Sequence, residues 1–75
     1  MHVRVFYFAG LREERGCSEE EREVSPQQTL SSIFTHIFGR APEGIRFAIN
    51  QSYVGAQSIP QEGDEIAFLP PLGGG

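Results

Sequence analysis

The sequence predicts a small α+β domain, in which one long helix packs on one face of a mixed sheet of four to five strands. Short stretches in which apolar residues alternate with other residues occur near both ends of the chain, as in strands. A single apolar stripe with helical spacing lies between them. The 75 residues suffice for one domain with a small core, so we expect a single domain over residues 1–75.

Residues 3–9 form the first predicted strand. Its odd-numbered residues face one side of the sheet and its even-numbered residues face the other. The even-numbered set places Arg4 beside Phe6 and Phe8, so we expect this face to lie outside the core. An exposed aromatic pair is a candidate docking site.

A short helix, an edge strand and the long helix are expected after the first strand. Residues 10–16 favour a helix of one or two turns, and the acidic residues 18–25 are typical of a charged edge strand. The long helix is expected to begin with Ser25 as its N-cap, Pro26 at its first position and Gln28 completing a capping box. We expect Gly39 to end this helix in the left-handed conformation. The stripe that should face the core consists of Leu30, Ile33, Phe34, Ile37 and Phe38.

The C-terminal half predicts strands over residues 45–50, 53–54 and 65–69, with a turn at Gln51-Ser52. In the last strand Ile66 and Phe68 should face the core, while Ala67 and Leu69 face away. If the first and last strands are neighbours, Phe6, Phe8 and Leu69 should cluster on the uncovered face.

The last six residues are Pro70-Pro71-Leu72-Gly73-Gly74-Gly75. Prolines cannot extend the hydrogen-bonded ladder, and glycine has no side chain to bury. We expect residues 70–75 to form a flexible arm whose terminal carboxylate could enter a narrow slot in another protein. A frayed terminus without a function is the alternative.

Composition narrows the class of protein. The net charge of −4 argues against nucleic acid and favours a partner with a basic docking face. We expect no membrane span and, because Cys17 is the only cysteine, a reducing cytoplasm as the location. All six basic residues are arginines. Genomic base composition is the simpler explanation for the absence of lysine. A lysine-free chain also suits a protein whose own terminus becomes an acylating agent, which gives that function weak support.

No self-sufficient active site is evident. The two histidines and Cys17 show no metal-ligand spacing, and Cys17 has no obvious partner that would make it a nucleophile. His36 lies opposite the apolar stripe and should be solvated. The terminal carboxylate therefore remains as the one group for chemistry, and it would need activation by a partner, for example as an acyl-adenylate.

The chain resembles the small subunits of molybdopterin synthase, which are MoaD-type sulfur carriers with the ubiquitin-like β-grasp fold. The resemblance spans nearly the whole chain. It rests on the segments VFYFA at 5–9, LRE at 11–13, AINQ at 48–51 and GDEIAFLPP at 63–71, followed by the terminal Gly74-Gly75. The sequence departs from the family at Gly73, where serine or threonine is usual, and at Tyr53, where an aliphatic residue is usual.

The resemblance implies a non-catalytic carrier with no bound cofactor. An E1-like enzyme would use ATP to adenylate the carboxylate of Gly75, and a sulfur donor would convert it to a thiocarboxylate. Residues 70–74 would insert the tail into the large synthase subunit, in a heterotetramer, and deliver sulfur to cyclic pyranopterin monophosphate. Phe8, Tyr53 and Leu69, together with Arg12, match the positions of the family's docking surface.

Three other functions remain open from the sequence. The chain could carry sulfur for thiazole synthesis or tRNA thiolation, although Pro70-Pro71 disfavours the thiazole carriers. It could be a ubiquitin-like protein modifier, which joins its terminus to lysines. It could also be an interaction module in which the tail has no function.

Overall fold

A computed structural model describes residues 1–71 of the chain. Its elements, in chain order, are β1 (His2–Tyr7), α1 (Ala9–Arg15), β2 (Glu19–Glu23), α2 (Leu30–Phe38), β3 (Arg46–Ile49), β4 (Ser52–Val54) and β5 (Glu65–Leu69). The five strands form one sheet in the order β2-β1-β5-β3-β4. Strands β1 and β5 pair in parallel, and the other neighbours are antiparallel. The mixed sheet is confirmed, and the first and last strands are neighbours, which is the condition for the predicted cluster of Phe6, Phe8 and Leu69.

The core lies on one face of this sheet, beneath the two helices. The odd-numbered residues of β1 and the even-numbered residues of β5 are buried there, as predicted. Helix α2 contributes Leu30, Ile33 and Phe34, and α1 contributes Leu11. The ring of Phe34 packs edge-on against Phe68 with 5.3 Å between the ring centroids. The predicted stripe of α2 is therefore confirmed, with Ile37 and Phe38 partly buried at the margin of the core.

The predicted start of the long helix is wrong. Helix α2 begins at Leu30, and its N-cap is Thr29, whose hydroxyl accepts a hydrogen bond from the backbone N–H of Ser32. The expected partners Ser25 and Gln28 do bond, but they close a separate turn in which the Ser25 N–H donates to Gln28 Oε1 at 3.0 Å. A helix cannot continue through this turn because Gln27 has a φ of +72°. The helix is nine residues long and ends at Gly39, which has the predicted left-handed conformation.

The turn between β3 and β4 also differs from the prediction. Ile49 pairs with Ser52, so the two-residue loop is Asn50-Gln51 rather than Gln51-Ser52. Both loop residues have positive φ, of +50° and +72°, as a type I′ hairpin requires. The Asn50 side chain holds this hairpin against β5, because its Oδ1 accepts the N–H of Glu65 at 3.0 Å and its Nδ2 donates to Asp64 at 3.1 Å.

Candidate docking surface and tail root

The uncovered face of the sheet carries a continuous row of apolar side chains. The strand register aligns Phe6 of β1 with Ala67 of β5, Ala67 with Ala48 of β3, and Ala48 with Tyr53 of β4. We call these four residues the apolar band. Alternation along each strand places them opposite the core, and the register brings them into one line across four strands.

Phe8 extends the band at one side. Contrary to the prediction, it is not part of β1 but is the N-cap of α1, with extended backbone. Its ring is 45% exposed, which confirms that it lies outside the core. Phe6 and Phe8 together line a depression of about 240 Å³, which is also lined by Ala67, Glu65 and Gln51.

Tyr53 lies on β4 at the other end of the band, and Leu69 lies on β5, between β1 and β3. Tyr53 is 65% exposed, and the guanidinium of Arg46 lies 5.1 Å from its ring centroid. Leu69 is half-buried and pairs with Arg46 in the sheet. Arg46 thus joins two residues predicted for docking. Sequence reasoning did not single out Arg46, although it shares the face of Ala48 by alternation along β3.

The structure does not bring Arg12 into the same depression. Arg12 lies exposed in the last turn of α1, where its carbonyl accepts the N–H of the terminating Gly16 at 2.8 Å. Within residues 1–71, the lining of the depression does not include it. The docking role of Arg12 stays a prediction, as do those of Phe8, Tyr53 and Leu69.

The uncovered face has an acidic margin at β2. Glu19, Glu21 and Glu23 alternate with residues on the core side and are all exposed. Arg4 of β1 bridges two of them, with NH1 2.8 Å from Glu19 and NH2 3.6 Å from Glu21. The face therefore combines an apolar centre with a negative edge, which complements a partner whose apolar patch has basic neighbours.

The root of the tail lies next to this surface. Pro70 follows Leu69 directly and is half-buried, while Pro71 is exposed. The remaining residues predicted for the tail, Leu72, Gly73, Gly74 and Gly75, the last of which is predicted to carry the sulfur, lie outside the described residues. Within residues 1–71 there is no cluster of histidine, cysteine and acidic side chains that could hold a metal ion. No helix in that part of the chain has the length and apolarity to cross a membrane.

The fold is that of the ubiquitin-like β-grasp proteins. The small archaeal modifier protein 1 of Haloferax volcanii matches with a TM-score of 0.80 at 20% identity, over 95% of this chain and 98% of that chain. A chain in the protein–protein complex of subunits 1 and 2 of the molybdopterin-converting factor from Helicobacter pylori matches with a TM-score of 0.66 at 18% identity, over 100% of both chains. The predicted fold class is confirmed.

The sequence comparisons then give the family. The ThiS family model matches residues 5–75. The molybdopterin synthase sulfur carrier subunit of Chlamydomonas reinhardtii is 34% identical over 100% of both chains. The human subunit of that name is 37% identical over 97% of this chain and 93% of its own length. The chain belongs to the ThiS family, and the resemblance to molybdopterin synthase sulfur carriers is confirmed.

Proposed function

We propose that this chain is the sulfur carrier subunit of a molybdopterin synthase. The observation that carries the proposal is that the apolar band crosses β5, the strand that leads into the tail. Only residues 70–74, which begin with two prolines, lie between the end of this strand and the predicted reactive terminus, Gly75. Relatives with this name match over the full chain, which supports the same function.

The proposed chemistry takes place at the carboxylate of Gly75. An E1-like partner joins it to the AMP moiety of ATP with release of pyrophosphate. Hydrosulfide supplied by a donor then attacks the acyl carbon, AMP leaves, and the terminus becomes a thiocarboxylate. Glycine suits this terminus because a chain without side chains can pass close walls on its way to a partner's active site. This chain itself serves as carrier, with no cofactor of its own, while the partner enzyme consumes the ATP.

The partner that receives the sulfur is proposed to be the large synthase subunit. The apolar band with Phe8 would pack against it, and Tyr53 and Leu69 would contact it next to the tail root. Residues 70–74 would then enter its active site, where the thiocarboxylate delivers sulfur to cyclic pyranopterin monophosphate. The Helicobacter pylori structure, a complex of subunits 1 and 2 of the molybdopterin-converting factor, supports such a pairing. A heterotetramer is the assembly that the resemblance implies.

A ubiquitin-like protein modifier is the second candidate function. The observation that favours it is the fold shared with the small archaeal modifier protein 1. The same activated Gly75 would then acylate a lysine of a target protein. Because the chain has no lysine of its own, it could be attached singly but could not extend into lysine-linked chains.

Intact-mass analysis tests the carrier function and separates a molybdopterin carrier from a carrier for another sulfur pathway. The chain is incubated with an E1-like enzyme, ATP and a sulfur donor, and then with the large subunit and cyclic pyranopterin monophosphate. We expect an oxygen-for-sulfur mass change at Gly75, followed by its reversal as molybdopterin forms. A mass change that persists with the large subunit present would point to another sulfur pathway. No mass change with competent partners would refute both carrier functions.

A further inference from the structure

Pro71, two residues beyond the last strand, lies close to Gly44, and the strand register explains this proximity. Arg46 pairs with Leu69 as the final pair between β3 and β5. Because this pairing is antiparallel, continuing the register two residues beyond the ends of both strands places Gly44 opposite Pro71. A Cβ atom built on Gly44 would lie 3.1 Å from Cγ of Pro71 and 3.9 Å from its Cβ.

Gly44 also has a separate reason to be glycine. Its φ is +75°, in a turn that the N–H of Ile45 closes by donating to the carbonyl of Pro42 at 3.1 Å. Such a turn with a positive φ at its third residue favours glycine whatever lies nearby. At the positive-φ glycines Gly16, Gly39 and Gly63, an added Cβ would meet nothing within 4 Å, so the contact with the tail root distinguishes Gly44 from them.

A side chain at position 44 would be accommodated mainly by movement of Pro71. The required shift is a few tenths of an ångström. The pyrrolidine ring can change its pucker at Cγ, but it is bonded back to the backbone nitrogen and cannot rotate away as an open side chain would. Pro71 also lacks an N–H, so no ladder hydrogen bond would hold it in register with residue 44. Pro71 is the last residue before positions 72–75, so a displacement of Pro71 would move the point from which those residues continue.

We propose that Gly44 is a positioning residue, which leaves room for Pro71 to lie against the turn before β3 and thereby directs the tail. Its importance for sulfur delivery rests on the proposed function. If the tail leaves in another direction, the docked carrier must reorder it before Gly75 reaches the partner's active site. Small misplacements of a reacting group slow chemistry strongly.

The test uses two matched alanine variants. Gly39 has a φ of +74°, almost that of Gly44, but open space around the position that a Cβ would take. Gly44→Ala and Gly39→Ala should therefore lose similar stability from backbone strain, while only Gly44→Ala displaces the tail root. We expect Gly44→Ala alone to shift the amide NMR signals of residues 72–75. It should also slow single-turnover sulfur delivery, on the order of tenfold relative to Gly39→Ala.

A third substitution isolates the contact. Pro71→Ala removes Cγ, so adding Gly44→Ala to it should produce no further shift beyond that of Gly39→Ala in the same background. Equal tail shifts for the two single variants, or a Gly44→Ala effect that persists without the proline ring, would overturn the proposal. If an alanine variant does not fold, the pair Gly44→Asn and Gly39→Asn replaces it, because asparagine tolerates positive φ. The NMR measurement needs no sulfur chemistry and therefore tests the contact between Gly44 and Pro71 by itself. A wild-type chain that accepts no sulfur would refute the proposed function without affecting this test.

Discussion

The side chain of Tyr7 is buried in the core but its hydroxyl bonds a charged residue. Its ring is only 1% exposed, yet its hydroxyl reaches the edge of the core and donates to Glu20 Oε2 at 2.5 Å. Arg15 and Arg22 donate to the same carboxylate at 2.9 and 3.4 Å. Burial, and next the bond to Glu20, raise the pKa of the Tyr7 hydroxyl well above its ordinary value. Burial of Glu20 acts to raise its pKa, but the hydrogen bonds from Arg15 and Tyr7 outweigh this effect and the pKa is lowered.

A pH-dependent loss of stability follows from the raised pKa of Tyr7. The unfolded chain releases the Tyr7 proton at about pH 10, whereas the folded chain retains it. The free energy of unfolding should therefore fall as the pH rises above about 10. We expect Tyr7→Phe to be less stable at neutral pH by about 1 to 2 kcal/mol, because the bond to Glu20 is lost, and to show a smaller alkaline decline.

Urea denaturation of the two proteins across this pH range measures both effects. Tyr53→Phe is the control, since Tyr53 is the other tyrosine and is 65% exposed. An alkaline decline of the same size in Tyr7→Phe and wild type would show that Tyr7 does not cause it.

Phe8 offers a residue-scale test of docking. Its ring is exposed beside the apolar band, so an aspartate there should leave the fold intact but place a charge in the proposed interface. We expect Phe8→Asp to weaken binding to the large synthase subunit by about 2 kcal/mol, or roughly 30-fold in Kd, as for an aromatic interface residue. Calorimetric titration measures the affinity, and thermal unfolding checks the fold.

Ile59→Asp is the matched control for Phe8→Asp. Ile59 is also 45% exposed but lies in the connection between β4 and β5, away from the band. Equal loss of affinity in both variants would argue against docking through the uncovered face. Unfolding of Phe8→Asp alone would show that Phe8 supports the fold.

At the scale of elements, the β3–β4 hairpin contains a residue whose backbone strain can be relieved. Gln51 has a φ of +72°, which glycine adopts without penalty and other residues adopt at a cost of about 1 kcal/mol or more. Gln51→Gly would create the Asn-Gly pair preferred in type I′ turns. We expect it to raise the free energy of unfolding by about 0.5 to 1 kcal/mol, as measured by urea denaturation. Asn50→Gly is the comparison, and it should not stabilise because it removes the bonds to Asp64 and Glu65.

The start of helix α2 gives a second test at this scale. Thr29→Ala should cost about 1 kcal/mol, because the Thr29 hydroxyl accepts the Ser32 N–H at 3.1 Å. Ser25→Ala should cost less than half as much, since Ser25 bonds Gln28 through its backbone. Chemical denaturation of the two variants decides between the observed cap and the one predicted from the sequence. A larger loss for Ser25→Ala would restore the predicted cap.

This helix also shows why element boundaries are harder to predict than the elements themselves. The apolar stripe depends on spacing within one segment, and the sequence predicts it correctly. The helix start depends on a distant segment, because the N–H groups of Leu30 and Ser31 donate to the carbonyls of Ser58 and Ala56 at 2.9 Å. A local capping pattern at Ser25 cannot reveal acceptors supplied from the β4–β5 connection.

At the scale of the whole molecule, the candidate site also combines features that the pattern of one strand predicts with features that depend on which strands pair. Alternation along β1 and β5 predicts that Phe6, Phe8 and Leu69 lie outside the core, and their proximity requires that these two strands be neighbours. The contact of Arg46 with Tyr53 was missed because it requires the pairing of β3 with β4. The contact of Gly44 with Pro71 was missed because it requires the register of β3 with β5. Both depend on which strands are neighbours, and a single strand's pattern does not contain that information.

The residues that form the core and the residue proposed to carry the chemistry lie in different parts of the chain. Among residues 1–71, the buried core cluster extends from Val3 to Phe68, and Gly75 lies seven positions beyond Phe68 in the sequence. We expect removal of Gly75 to abolish sulfur delivery while changing the free energy of unfolding by less than about 0.5 kcal/mol.

Single-turnover molybdopterin formation and urea denaturation measure these two quantities on the same preparation. His36→Ala, on the exposed side of α2, is the control that should leave both unchanged. Delivery that survives the deletion would show that a terminus at position 75 is not required, because the carboxylate of Gly74, one residue shorter, would then carry the sulfur. A large loss of stability would instead show that Gly75 contributes to the fold. Stability and the proposed chemistry would then not be carried by separate parts of the chain.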